Sequence, residues 1–115
     1  MNLLLLLVLR IVGSLAFAGA GIAKLLRVKP LVEQFHDFHL PLEIMYLIGV
    51  LEVVGAVALW YPPLTFWAFA GLGCLMLGAI KSHILAKHPW KSLLPALALL
   101  AVCLGGACLD YWLHH

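Results

Sequence analysis

The apolar residues of this 115-residue chain fall into four long runs, separated by short polar or proline-containing segments. The runs cover residues of about 3–24, 42–61, 64–86 and 92–113. Each has roughly 20 residues, the length at which an α-helix crosses the hydrocarbon core of a bilayer. The pattern therefore predicts an all-α fold: an integral membrane four-helix bundle that forms a single transmembrane domain over residues 1–115.

The longest connection between these runs has the pattern of a short amphipathic helix. In residues 25–41, Leu31, Phe35 and Phe38 recur at helical spacing, while the polar residues between them point elsewhere. Pro30 suits the first turn of such a helix, where its missing N–H is not needed. We therefore predict a short helix at the membrane surface, between the first and second spanning helices.

The composition agrees with a membrane protein and excludes other classes. The chain is 65% hydrophobic and 10% charged, whereas about a quarter of the residues of a soluble domain are charged. A net charge of +2 without a basic stripe gives no reason to expect nucleic-acid binding. The cysteines form no Cys-x-x-Cys motif, so we expect small buried side chains and no thiol-redox or zinc site. They are Cys74, Cys103 and Cys108.

The distribution of basic residues predicts the orientation in the membrane. Six of the seven Lys and Arg residues lie in or beside the first and third connections, namely Lys24, Arg27, Lys29, Lys81, Lys87 and Lys91. The positive-inside rule places those two connections in the cytoplasm and both termini on the other side. We expect the inner (plasma) membrane of a bacterium. Whether His114 and His115 belong to the natural chain is left open by the sequence.

One carboxylate, Glu52, lies in the middle of the second apolar run. A protonatable group at that depth is costly, so it should face the protein interior and have a partner. Arg10 lies about seven residues inside the first run, at a similar depth if the two helices are antiparallel, and its planar fork can hold a carboxylate. We predict that Arg10 and Glu52 form a buried ion pair. The alternative is that Arg10 snorkels to the nearer surface and Glu52 is a lone protonated acid.

A second polar layer is expected at the end of the bundle that carries the basic connections. It would contain Lys24, Glu43, Lys81 and His83. For Lys81, an ordinary interfacial charge that snorkels is the better interpretation. For His83, which is followed by apolar residues, an interior and an interfacial position remain open.

No metal site is expected. Glu33, His36 and His39 have a spacing that resembles metal ligands. However, a di-iron bundle needs a second carboxylate–histidine helix, which the chain lacks. The three residues are interpreted as a solvated polar face.

Several residues taken together resemble the DoxX-like family of small four-helix membrane proteins. They are Arg10, Gly21-x-x-Lys24, Phe35, Glu52-x-x-Gly55, Gly78-Ala79 and His83, and they span nearly the whole chain in order. The resemblance implies that Arg10, Lys24, Glu52 and His83 are the polar helix positions of that family. It also implies a link to respiration, since the family is named for a small subunit of a quinone-linked oxidase system. Related eukaryotic proteins look more like assembly factors.

Two function hypotheses follow, and a small transporter remains a third. The first expectation is a non-catalytic assembly, packing or accessory subunit of a membrane complex, with the bilayer and a membrane protein or a second copy as partners. The alternative is a quinone- or lipid-binding subunit of a membrane redox system that uses a buried Glu, Arg and His. No haem, iron–sulfur or nucleotide motif is evident, so quinone is the candidate cofactor and any redox activity needs a partner. A filled interior would favour the first hypothesis.

Overall fold

A computed structural model gives the fold and describes the backbone of residues 2–114 and the side chains of residues 3–113. The helices are α1 (Asn2–Leu25), α2 (Lys29–Asp37), α3 (Leu42–Ala58), α4 (Thr65–Leu85) and α5 (Leu94–His114). Short 3-10 turns, Pro62–Leu64 and Trp90–Leu93, lead into α4 and α5. The all-α prediction is confirmed, with four long helices and the short α2 between the first two of them.

The four long helices pack in a closed ring. Helix α1 packs against α3 and α5, and α4 packs against the same two helices from the other side. Most of the side chains that fill the centre of this ring are apolar, and they include Phe17, Leu59, Phe69, Leu72 and Cys103. These buried side chains are only a minority of the apolar residues of the chain. Most of the large apolar side chains point outward.

The outward-facing apolar surface identifies an integral membrane protein. Among the described residues, three helical stretches are long and apolar enough to span a bilayer, and only 17% of the apolar window of the first is buried. The exposed remainder needs a lipid environment. Helix α3 has 17 residues and reaches spanning length only together with α2, from which it is bent by 119°. The longest dimension, 41 Å, is about the full thickness of a bilayer, ~40–45 Å with its headgroups.

The predicted second spanning helix is three residues too long. Helix α3 ends at Ala58 and not at Tyr61. Tyr61 has extended backbone dihedrals, φ −103° and ψ 105°, because a residue before proline is driven out of the helical region. The last residues of the apolar run therefore form the turn into α4.

Helix α2 is amphipathic, as predicted. Phe35 is buried and Leu31 and Phe38 are half-buried, whereas Glu33 and His36 on the other face are exposed. Proline in its first turn starts the helix without the loss of a hydrogen bond. Helix α2 thus covers one end of the bundle with its aromatic face.

Three helices end at this same end of the bundle with a residue in the left-handed backbone region. The residues are Arg27 (φ 58°), His39 (φ 59°) and Lys87 (φ 59°). After each, the next residue donates its N–H to a carbonyl five positions back: Val28 to Ala23, Leu40 to Phe35, and His88 to His83. This is the Schellman motif, which normally places glycine at the left-handed position. Each of these non-glycine residues costs about 1–2 kcal/mol of local strain.

Candidate functional site

A cavity of about 380 Å³ lies inside the end of the bundle that α2 covers. Its walls are largely apolar and come from all five helices; they include Ala20, Phe35, Phe38, Met76, Gly78 and Ala96. The space exists because several positions that face it carry small side chains. Its volume falls in the range of roughly 300–1,000 Å³ that is usual for small-molecule sites. The interior is therefore not filled.

Lys24 and Glu52 form an ion pair in the wall of this cavity. Lys24 Nζ lies 2.7 Å from Glu52 Oε1, and the two side chains are 12% and 1% exposed. The contact with Lys24 engages Oε1. Among the described residues, Oε2 of Glu52 is buried and has no hydrogen-bond partner. Buried polar atoms without a hydrogen bond are rare in proteins and call for an explanation.

The predicted ion pair between Arg10 and Glu52 is wrong. The guanidinium of Arg10 lies over the ring of Trp60, 5.9 Å from its centroid. Arg10 Nη2 donates to Thr65 Oγ1 at 3.4 Å. Thr65 in turn donates to the carbonyl of Leu59 at 2.9 Å. Arg10 therefore holds the turn between α3 and α4 at the far end of the bundle.

The register between α1 and α3 explains this difference. Gly21 faces Gly49 so closely that a Cβ atom on Gly21 would lie 2.6 Å from the Gly49 carbonyl oxygen. In the antiparallel register that this contact sets, Arg10 lies level with Trp60. Trp60 is eight residues beyond Glu52 in the chain, or about 12 Å along a helix at 1.5 Å per residue. The depth estimate from the ends of the apolar runs was too coarse to resolve this separation.

The direction of the side chains selects Lys24 as the partner. Side chains on a helix lean toward its N-terminus. Lys24, near the end of α1, therefore leans into the bundle, and Glu52 on the antiparallel α3 leans back toward Lys24. Arg10 also leans toward the N-terminus of α1, which takes it away from Glu52 because Arg10 lies on the N-terminal side of that level. Both helices thus favour the observed pair, and a pattern of residue types alone does not contain this information.

The second polar layer is only partly assembled. Lys24 and His83 line the cavity, and His83 is 7% exposed. Glu43 and Lys81 are exposed instead. For His83 the structure supports the interior position, and for Lys81 it supports the interfacial one.

The structure adds two residues that the sequence did not indicate, His88 and Asp37. Nδ1 of His83 lies 2.8 Å from Nδ1 of His88, and Nε2 of His88 lies 3.0 Å from Oδ2 of Asp37. The ring of Phe38 packs edge-on against His83, with the ring centroids 5.0 Å apart. The five-residue separation of the two histidines could have indicated that they meet at the end of α4. The sequence does not mark that end, because Lys87 occupies the position where glycine is usual.

The other candidate ligands do not gather in one place. Glu33, His36 and His39 are all exposed. Over the described residues, no three His, Cys, Asp or Glu side chains are placed to share a metal ion. The cysteines are free; Cys103 is buried as expected, whereas Cys74 and Cys108 are exposed.

The model of the DoxX-like family matches residues 8–106 of the chain. The chain belongs to the DoxX-like family. The match includes Lys24, Glu52 and His83, and with them the cavity, so the resemblance read from the sequence is confirmed. Neither a search of curated proteins nor a search of solved structures found a significant match.

Proposed function

We propose that this DoxX-like protein binds the head of a quinone-type molecule in the cavity beside Glu52. The observation that carries the proposal is a buried carboxylate in the wall of an apolar cavity, of which one oxygen, Oε2 of Glu52, has no hydrogen-bond partner among the described residues. A cavity with a few polar groups in apolar walls is the usual form of a small-molecule site. A membrane-soluble ligand would be present in the bilayer that surrounds the bundle.

The polar groups of the cavity match the chemistry of a quinone head. A quinone ring carries two carbonyl acceptors, and its reduced form carries two hydroxyl donors. Lys24 can donate to a carbonyl, while Glu52 and Nε2 of His83, on different helices, can accept from hydroxyls. Phe35 and Phe38 give the ring an aromatic surface to pack against. The protein itself would bind the quinone, and a partner redox protein would carry the electrons.

The proposed location is the inner (plasma) membrane of a bacterium, with both termini on the non-cytoplasmic side. The support is the concentration of Lys and Arg in the two connections at the α2 end of the bundle. The cavity would then lie near the cytoplasmic surface. A membrane protein partner or a second copy would pack on the exposed faces of the long helices.

A photoreactive short-chain quinone analogue tests the ligand class. Cross-links should fall on peptides that carry Phe35, Phe38 or Ser82, which line the cavity, and excess unlabelled quinone should suppress them. Excess phospholipid should not. Suppression by phospholipid alone would assign the cavity to a lipid. Labels only on outward-facing residues such as Leu77 and Ile84 would contradict binding in the cavity.

The second candidate is a non-catalytic packing or assembly subunit, and one observation favours it. The Lys24–Glu52 pair bridges α1 and α3 close to the Gly21–Gly49 contact, so Glu52 has a structural role that needs no ligand. A folded double variant, Lys24→Met with Glu52→Gln, separates the candidates. If the protein is only a packing or assembly subunit, this variant should keep its role in the cell. If the cavity binds quinone, the variant should lose both quinone labelling and that role.

A further inference from the structure

We propose that Asp37, His88 and His83 form a proton relay between the aqueous surface and the cavity. The three side chains make a continuous chain of hydrogen bonds, with 2.8 Å between the two Nδ1 atoms and 3.0 Å from His88 to Asp37. Exposure falls along it: Asp37 is 54% exposed, His88 17% and His83 7%. One end therefore meets water and the other meets the cavity.

The local fold holds the two imidazoles together. His83 and His88 occupy the two positions of a Schellman motif whose side chains touch, and these are usually apolar. The equivalent positions after α1 and α2 are indeed apolar, Ala23 with Val28 and Phe35 with Leu40. The end of α4 departs from the other two by placing an imidazole at both positions. Two apolar side chains would be sufficient if these positions served only for packing. The presence of an imidazole at both positions therefore favours a role in proton transfer.

A nitrogen–nitrogen contact at 2.8 Å holds one proton between two rings. With both rings neutral, His83 Nδ1–H donates to His88 Nδ1, and His88 Nε2–H donates to Asp37. A proton that arrives on His83 Nε2 from the cavity makes that ring cationic. The shared proton then moves to His88, the Nε2 proton of His88 moves to Asp37, and Asp37 releases it to water. Only N–H and O–H bonds form and break, no electrons move, and the reverse sequence carries one proton inward.

Neighbouring groups shape this path. Phe38 packs against both imidazole rings, with centroid distances of 5.0 and 5.5 Å, and shields the shared proton from water. Across the cavity, the charged groups are Lys24 of α1 and Glu52 of α3, which neutralise each other. Asp37 of α2 is the charged partner of His88 in the chain. The relay rests on the proposed function only in what receives the proton, which would be a bound quinone or quinol.

Nitrogen-15 NMR of the ligand-free protein, labelled at histidine, tests the relay apart from quinone binding. In the wild type, a coupling across the hydrogen bond should join Nδ1 of His83 to Nδ1 of His88. The labile proton of His83 should exchange with water through the chain. His88→Gln keeps a polar side chain that cannot pass a proton, and should slow this exchange on the order of a hundredfold, the effect typical of removing a positioned acid–base group.

Two further variants make the result decisive. Asp37→Asn should slow the exchange in the same direction, whereas His36→Gln, at an exposed position on the same helix, should leave it unchanged. The ring-current shift of His83 from Phe38 shows whether the fold is kept. An unchanged exchange rate in folded His88→Gln would overturn the relay, as would the absence of the coupling in the wild type. A relay that fails while quinone labelling persists would leave the proposed function standing.

Discussion

Gly21 and Gly49 lie face to face where α1 packs against α3. A Cβ atom on Gly21 would lie 2.6 Å from the carbonyl oxygen of Gly49, and one on Gly49 would lie 2.9 Å from that of Gly21. Both distances are too short for any side chain, and the obstacles are backbone atoms that cannot turn aside. This contact sets the register that brings Lys24 to Glu52.

Gly21→Ala should therefore force the two helices apart. We expect a loss of about 1–3 kcal/mol in the free energy of unfolding, the usual effect of overpacking, measured by thermal unfolding in detergent. Gly19→Ala is the matched control, because a Cβ atom there meets nothing within 4 Å. Alanine is also the better helix former, so the control should be neutral or slightly stabilising. Equal losses in both variants would contradict the close contact.

The Lys24–Glu52 pair should be coupled energetically. Lys24→Met or Glu52→Gln alone leaves one partner without its counterpart and should cost about 3–5 kcal/mol. The double variant should be milder than the sum, with a coupling energy of about 0.5–3 kcal/mol. Arg10→Leu combined with Glu52→Gln is the control cycle and should be additive. Coupling of Glu52 to Arg10 in place of Lys24 would restore the pair expected from the sequence.

The left-handed residue after α4 offers a test of the backbone. Lys87→Gly should relieve the strain at φ 59° and stabilise the protein by about 0.5–1 kcal/mol. Ala86→Gly, one residue earlier at φ −81°, should instead destabilise by about 0.5–1 kcal/mol. Thermal unfolding of the two variants should shift in opposite directions. A destabilised Lys87→Gly would show that the turn toward His88 does not have this conformation.

Single cysteines, in a background with the natural three replaced, report the orientation. Tyr61→Cys lies in the turn between α3 and α4, and Lys91→Cys lies in the turn between α4 and α5; both positions are exposed. In sealed vesicles with the outer surface facing out, an impermeant reagent should label Tyr61→Cys directly. It should label Lys91→Cys only after permeabilisation. The reverse pattern would contradict the positive-inside orientation.

The helices were predictable because each rests on a local property of the chain. The lengths of the apolar runs predict the long helices, and the spacing of Leu31, Phe35 and Phe38 predicts α2. The prediction extended α3 too far because Trp60 and Tyr61 are as compatible with a spanning helix as with a turn. Only the conformational restriction on the residue before Pro62 favours the turn.

The site was less predictable because it depends on geometry between elements. Glu52, Lys24 and His83 were all singled out from residue type and depth. The partner of Glu52 depends on register and on the lean of side chains, which a hydropathy pattern does not contain. His88 follows Lys87, a non-glycine residue in the left-handed conformation, and its contact with Asp37 joins two elements far apart in the chain.

If the cavity beside Glu52 binds a quinone head, a side chain that fills the cavity should weaken that binding. Gly78 lines the cavity, and a Cβ atom there meets nothing within 4 Å. Leucine can therefore be placed in the cavity wall without a backbone clash, where we expect it to reduce the space for a ligand. Gly71, two turns earlier on α4, is equally open but lies away from the cavity, and Gly71→Leu is the matched control.

The measurement is the equilibrium Kd of a short-chain quinone for the protein in lipid nanodiscs. Gly78→Leu should weaken binding by at least about tenfold, or 1.4 kcal/mol, while Gly71→Leu should bind like the wild type. Both variants should unfold at temperatures close to that of the wild type, so that loss of binding is not loss of fold. Wild-type affinity in a folded Gly78→Leu variant, or an equal loss in Gly71→Leu, would contradict the account.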